Sequence, residues 1–368
     1  MKIGIVTQPL IDNYGGILQN YALQQALTKL GHSPFTYDTC YRWDIIRYGM
    51  AVLNIAAHKL AGRWHDVQYP AKPYKGFMRK KSIGKFIAEH IATVAAQNGI
   101  TLESGPCPDA LIVGSDQVWR PLYNRDDSCS PLGNSFLDFA DSHDEILKLS
   151  YAASFGVDNW EYNDRQTEYC AGLLRKFKAV SVREVSGIEL CRRHLSRPDA
   201  VKVPDPTLLL NPAEYRKLYS RSHLEQEPYA FISLLNSSEE IRANLRNICR
   251  SMKLRARFLF EEEMSPEKWL RTIDEAAVVI TDSFHCMLFS ILLHTKIIVK
   301  PSSMRGQNRF EELANSLGIA PGDIFISEYA EIPTAMTKSI NFKKTDEYIG
   351  EMRADGYSFL NNALNNNK

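Results

Sequence analysis

The sequence is short of the features that would decide its class at once, and each shortage excludes something. Its seven cysteines show no CxxC spacing and no paired arrangement, so neither a disulfide framework nor a cysteine-held zinc site is expected. Lysine and arginine number 44 against 43 aspartates and glutamates, a net charge of +1. No global field therefore recruits nucleic acid or a membrane. No apolar run approaches the roughly 20 residues of a spanning helix. The opening MKIGIVTQPL has no basic segment followed by a long apolar one, so no secretory signal is expected. Repeats and low-complexity tracts are missing as well. A cytoplasmic globular chain that uses no metal is the expectation.

What is present reads as layered α/β structure. At 368 residues the chain exceeds one compact core, which predicts two domains. Its 44% hydrophobic and 24% charged residues are ordinary for a soluble protein. Strand-like and helix-like stretches alternate, which favours parallel sheets. Residues 3–7 read as a buried strand, and Leu18, Ala22, Leu23, Ala26, Leu27 and Leu30 form one helical stripe ended by Gly31. Further strands are expected at 110–113, 149–153, 179–182 and 201–203. A second series follows at 230–235, 257–260, 277–280, 297–299 and 324–326. Three prolines in PDPTLLLNPAEY, residues 204–215, separate the two series. The expected division is 1–210, 211–344, and a C-terminal helix over 345–368 that returns to the first domain. Residues 41–100 show no clear strand and read as a helical insertion.

In open α/β sheets, ligands bind beyond the carboxyl ends of strands, beside helix N-termini that favour anions. Four junctions pass that filter. In DNYGGILQ, Gly15 and Gly16 form either a plain turn or a loop that lets backbone approach a ligand. In LIVGSDQVWRP, Ser115 and Asp116 are natural N-caps, while Trp119 and Arg120 suit a sugar or anion site or simply pack. In AVSVREVSG, Arg183 either grips an anion with its guanidinium fork or pairs with Glu184. In VVITDSFHCMLF, His285 falls at a helix N-terminus, whose positive end disfavours imidazolium unless a carboxylate such as Asp282 compensates. Cys286 points about 100° away from His285 on a helix and reads as core filler. Arg305 and Arg309 flank Gly306 in a stretch able to close over an anion. Lys72, Lys75, Arg79, Lys80, Lys81 and Lys85 form a solvated face or a contact for an anionic surface.

The segments NYGGILQNYALQQALTKLGH, ALIVGSDQVWRP, KLSYAASFG, SVRE, PDPTLLL and TDSFHCMLFSILLHTK occur in this order between residues 3 and 318. Together they resemble the polysaccharide pyruvyl transferase family. The resemblance implies a glycosyltransferase-B-like fold, two Rossmann-like doubly wound domains facing a cleft. It implies transfer of pyruvate from phosphoenolpyruvate to two hydroxyls of a sugar or lipid-linked oligosaccharide, giving a cyclic ketal on a surface-polysaccharide precursor, with no cofactor. His285 matches the family's histidine and would be catalytic, and Arg183 matches its S-V-R arginine. Ser283 stands where well-studied members carry an arginine, so the donor's charge falls to Arg183, Arg305 or Arg309, with Gly15 and Gly16 close by. The cleft wall would include Asn13, Tyr14, Ser115, Asp116, Trp119 and Asp282. Peripheral contact with the inner face of a membrane is compatible with such an acceptor. Two rivals remain: a nucleotide-sugar glycosyltransferase, with Glu311 or Glu312 on a ribose, and a non-catalytic sugar- or nucleotide-binding protein.

Overall fold

A computed structural model describes residues 1–39, 79, 81–96, 99–124, 132–220, 227–235, 237–301 and 308–365. The first half alternates β1 (Lys2–Val6), α1 (Tyr14–Lys29), β2 (Ser33–Asp38), α2 (Lys81–His90), β3 (Thr93–Ala95) and β4 (Ala110–Val113). It continues with β5 (Leu147–Ser150), α3 (Asp164–Leu174), β6 (Ser181–Val182), α4 (Val185–His194) and β7 (Val201–Lys202). The second half runs β8 (Tyr229–Ser233), α5 (Glu239–Ser251), β9 (Arg255–Phe258), α6 (Pro266–Asp274), β10 (Val278–Thr281) and α7 (Phe284–Leu292). Then come β11 (Ile297–Val299), α8 (Asn308–Ser316) and a long α9 (Phe342–Asn365).

The strands form two parallel sheets. The first has the order β3-β2-β1-β4-β5, and the pair β6-β7 joins its β5 edge through bridges such as Leu149 to Ala179. The second has the order β11-β10-β8-β9. Both are doubly wound: chain order reverses between β1 and β4 in one sheet and between β8 and β10 in the other. Helices cover both faces, which is why ALIV and VVIT are buried at every position and read as continuous apolar runs.

Helix α1 lies between the sheets. Leu23, Ala26 and Leu27 pack with Ile3, Ile5 and Ile112 of the first sheet. Tyr14, Ile17, Leu18 and Tyr21 pack with Phe231, Trp269 and Phe289 of the second half. The stripe read from the sequence is thus divided between two cores, and a helix apolar on two sides is buried on both. Two of its polar residues bond across to the first sheet: Gln19 donates to Thr7 Oγ1 (2.9 Å) and Gln24 to Thr36 Oγ1 (2.8 Å).

Three sequence readings are corrected. β2 was not expected: SPFTYD has a proline at its second position and mixes polar with aromatic residues, yet it sits between β1 and β3. The insertion expected at 41–100 lies outside the described residues up to 78, and from 81 onward it supplies α2 and the short edge strand β3. The stretch 324–326 is no strand; a short helix Pro321–Ile324 ends there, and only Phe325 bridges to Val299.

Helix α9 lies against the first sheet, with Leu360, Ala363 and Leu364 in the core that holds Ile3 and Ile5. Its Arg353 donates to the Leu208 and Leu210 carbonyls at 2.9 and 3.1 Å. Gly356 allows this approach, since a Cβ there would stand 2.5 Å from Tyr151 Oη and 2.7 Å from Leu209 Cδ2. Gly356→Leu should therefore cost about 1–3 kcal/mol by overpacking, read as a lower urea midpoint. An unchanged midpoint would contradict this seating of the helix.

Candidate active site

The turn after β10 is built from its own polar side chains. Thr281 Oγ1 donates to the Ser233 carbonyl (2.7 Å) and accepts the Ser283 N–H (3.0 Å). Asp282 accepts the Leu235 N–H at 2.8 Å. These bonds start α7 at Phe284 and place His285, 6% exposed, in its first turn, at the point where the order of the second sheet reverses. Asn13 begins α1 at the corresponding point of the first sheet by accepting the Gly16 N–H at 3.1 Å. Gly15 then meets the imidazole so closely that a Cβ would lie 2.2 to 2.4 Å from His285 Cγ, Cβ and Nδ1. Only glycine fits.

The other side of the ring faces Asp205. His285 Nε2 lies 3.4 Å from Asp205 Oδ2, an ion-pair distance without hydrogen-bond geometry. The same oxygen takes Arg183 Nη1 at 3.1 Å and Ser115 Oγ at 3.3 Å. Oδ1 accepts the Thr207 N–H (3.0 Å) and hydroxyl (2.8 Å), which anchors the carboxylate at the start of the turn Pro206–Leu209. One carboxylate thus gathers the ends of β4, β6 and β10.

Arg183 is shared among several partners. Its Nε donates to Glu184 Oε1 at 2.8 Å, Nη1 also stands 3.8 Å from Asp116 Oδ1, and Nη2 reaches Ser154 Oγ at 3.4 Å. Its Cζ lies 4.4 Å from the centroid of the Phe284 ring. Burial opposes the charge on Arg183, and Glu184, Asp205 and Asp116 more than reverse that effect, so its pKa is raised. Burial likewise pushes the Asp205 pKa up, but His285, Arg183 and the Thr207 amide outweigh it and hold the carboxyl well below the usual range. Two non-glycine residues with positive φ border this cluster, Asp116 at 67° and Ala152 at 51°. Such conformations are costly and persist where surrounding bonds fix them. Asn13 Nδ2 to Asp116 Oδ2 (3.0 Å) and Ser181 Oγ, accepting the Ala152 N–H (3.1 Å), do so here.

Gly15, Ser115, Asp116, Arg183 and His285 are therefore brought together, and several other expectations change. Among the described residues no α-helix lies between β4 and β5, so Ser115 and Asp116 begin none. The Arg183 fork is committed to carboxylates, and the compensating carboxylate for His285 is Asp205 instead of Asp282. Trp119 is fully buried, donates to the Ser135 carbonyl (2.8 Å) and stacks on Phe136. Tyr14 is also core: it stacks on Trp269 and donates to the Met264 carbonyl at 3.0 Å. Arg120 pairs with Glu161. Ser283 sits half-buried before α7, Gly16 packs on Asn13, and burial pushes the Cys286 thiol up to about 12. Glu312 is taken by the Val185 N–H (3.0 Å) and by Lys202 (2.6 Å). Arg305, Lys72, Lys75 and Lys80 lie outside the described residues; Arg79 pairs with Asp38, and Lys85 is exposed.

The sequence reading missed Asp205 and Ser154, while its alternative of Arg183 pairing with Glu184 is what the structure shows. Asp205 had a local signal, an aspartate before proline with threonine two residues on, which marks a cap. Nothing local announced that the other oxygen of this cap would meet a histidine 80 residues later. Elsewhere among the described residues, Glu89, His90 and Glu267 bring metal-capable atoms within 4.8 Å of one another, but they share no residue with the Asp205 cluster. No described helix is long and apolar enough to cross a membrane.

Comparison with known proteins fits this architecture. Staphylococcus aureus MnaA in its UDP co-structure aligns with a TM-score of 0.55 at 10% identity, covering 99% of this chain and 97% of that one. The UDP-GlcNAc 2-epimerase of Methanocaldococcus jannaschii, solved with UDP-GlcNAc and UDP, gives 0.48 at 12%, covering 96% and 100%. At 10% identity the MnaA likeness shows the fold alone: two Rossmann-like domains facing a cleft, the glycosyltransferase-B arrangement. No curated protein sequence matches the chain. The family model described as polysaccharide pyruvyl transferase matches residues 13–302, a span that holds Asn13, Gly15, Ser115, Arg183, Asp205 and His285. The chain belongs to the polysaccharide pyruvyl transferase family.

The Asp205 geometry makes a pH prediction. A carboxylate whose pKa is depressed by folding stabilises the fold above its unfolded value of about 3.9. That contribution is lost as pH falls through the folded value. Wild type should therefore lose more stability between about pH 5 and pH 2 than Asp205→Asn does. At neutral pH the substitution strips a buried arginine of a partner and should cost about 3–5 kcal/mol. Urea titrations across this range check both; parallel pH profiles would contradict the assignment.

Proposed function

We propose that the chain transfers pyruvate from phosphoenolpyruvate to two hydroxyls of one sugar, with His285 as the acid–base group and Asp205 as its positioning residue. The observation that carries this reading is the His285 ring held between Gly15 and Asp205 at a helix N-terminus, in the crevice where both sheets reverse their order. The reaction needs a proton at C3 of the enol phosphate, which makes C2 electrophilic. One hydroxyl attacks C2, the C2–O bond to phosphate breaks, and the second hydroxyl closes the ketal. Of the two hydroxyl protons released, one replaces the proton given to C3 and the other ends on the departing phosphate. A single imidazole held in one orientation can deliver the first proton and be recharged by a hydroxyl. Asp205 faces Nε2 and Gly15 lies against the opposite edge of the ring, so the two fix its position.

The acceptor in this reading is a sugar of a surface-polysaccharide precursor, free or lipid-linked, met in the cytoplasm at the membrane face. The test is phosphate release from phosphoenolpyruvate with a panel of nitrophenyl and lipid-linked sugars. His285→Gln, which keeps volume and one hydrogen-bonding arm but cannot titrate, should lower turnover by about 10² to 10⁴ while its thermal melt stays near wild type. Full turnover in a folded His285→Gln protein would contradict the assignment. Gly15→Ala should also lower turnover, because its methyl displaces the imidazole.

A further inference from the structure

Among the described residues, five lysines or arginines are at least nine-tenths buried: Arg120, Lys148, Arg183, Arg197 and Arg309. Four are matched. Arg120 has Glu161, Arg197 has Asp199, Lys148 donates to the His143 carbonyl, and Arg183 has three carboxylates around it. Arg309 forms no hydrogen bond or ion pair with any described residue, and its buried Nε has no partner. Its neighbours are two rings, with Cζ 5.4 Å from the Phe284 centroid and 5.3 Å from that of Phe310. Burial first, and then the adjacent Arg183, pulls its pKa down to about 10.

The nearby carboxylates are already committed. Glu184 serves Arg183 and Ser154, Asp205 serves Arg183 and Thr207, Asp116 serves Asn13, Asp158 serves Asn308, and Glu312 serves Val185 and Lys202. A buried cation without a counter-charge carries a heavy desolvation cost, and that cost falls when an anion shares its site. Arg309 lines two narrow cavities. One is shared with Asp205, Glu184, Glu312, Phe284 and Lys202, and the other with Asp158, Glu184, Ser186 and Gly187. Ser186 and Gly187 belong to the first turn of the ten-residue α4, and such a helix end adds a positive field. Two independent features thus point the same way: a helix start, and a buried arginine with an unpartnered nitrogen.

We propose that Arg309, beside the first turn of α4, binds the phosphate group of the donor. It supplies the positive charge that Ser283 does not. This rests on the pyruvyl-transfer reading for the donor's identity, but the phosphate site itself does not. Arg309 comes from α8, after β11, and lines one cavity with Arg183 and Asp205, the carboxylate that also faces His285.

The experiment is calorimetric titration of the full chain with inorganic phosphate and, separately, with pyruvate, followed by steady-state kinetics with phosphoenolpyruvate. Wild type should bind phosphate, and Arg309→Gln should weaken that binding at least tenfold while changing pyruvate binding little. In turnover the same variant should raise KM for phosphoenolpyruvate more than it lowers kcat. Arg309→Met, which removes the uncompensated charge but keeps the stem, should melt no lower than wild type. Equal phosphate binding by wild type and Arg309→Gln would overturn the proposal, as would no phosphate binding by wild type. Loss of pyruvate binding alone, or a melt of Arg309→Met far below wild type, would overturn it too. If Arg309→Gln does not fold, Arg309→Lys gives the same comparison, since an ammonium keeps the charge but not the fork. Phosphate binding that depends on Arg309, without release of phosphate from phosphoenolpyruvate, would refute the pyruvyl-transfer reading and leave the site standing. Turnover with an unchanged KM in Arg309→Gln would do the reverse.

Discussion

The carboxylate of Asp205 is the contact on which the rest of the site depends. With Arg183 Nη1 at 3.1 Å, Ser115 Oγ at 3.3 Å and His285 Nε2 at 3.4 Å on one oxygen, it ties three strand ends from two sheets to a single point. An ion pair this deeply buried is a poor source of net stability, because desolvation offsets most of its attraction. Its effect is on geometry. Arg183 remains charged because Glu184 and Asp205 flank it, and Asp205 remains ionised because Arg183 and His285 face it. Removing any one member leaves the others buried with unmatched charge.

The second constraint is the double burial of α1. Its first turn must reach the imidazole of α7, and its later turns must fill both cores. Glycine at 15 permits the first, and the apolar residues on two sides of the helix achieve the second. The distance between the first sheet and His285 is therefore fixed by packing along the whole helix, so the site is held by regular structure more than by loops.

Much of this was legible in the sequence. The runs KIGIV, ALIV and VVIT declare buried parallel strands because both faces of each are covered. The rule that ligands gather at strand ends then led to Gly15, Ser115, Arg183 and His285 without knowledge of their contacts. What escaped was decided by tertiary pairing. β2 is half polar because Thr36 bonds to helix α1, and β3 has three residues, too few for any period to show. Trp119 and Tyr14 look like ligand platforms in sequence because an aromatic ring at a strand end serves a cleft or a core equally well, and here both serve the core. The Arg183 fork was visible, but the three carboxylates that occupy it come from three separate segments. Arg309 was visible too, though its lack of a partner was not.

The central claim is that His285, set by Asp205, delivers a proton to the donor's methylene carbon. It is tested most directly by running the reaction in D₂O and reading the pyruvyl methyl group of the product by mass spectrometry and NMR. The account predicts one deuterium per methyl group in the wild-type product. It also predicts that His285→Gln forms this labelled product about 10² to 10⁴ times more slowly. A ketal whose methyl group carries no deuterium, or labelled product formed by His285→Gln at the wild-type rate, would contradict it.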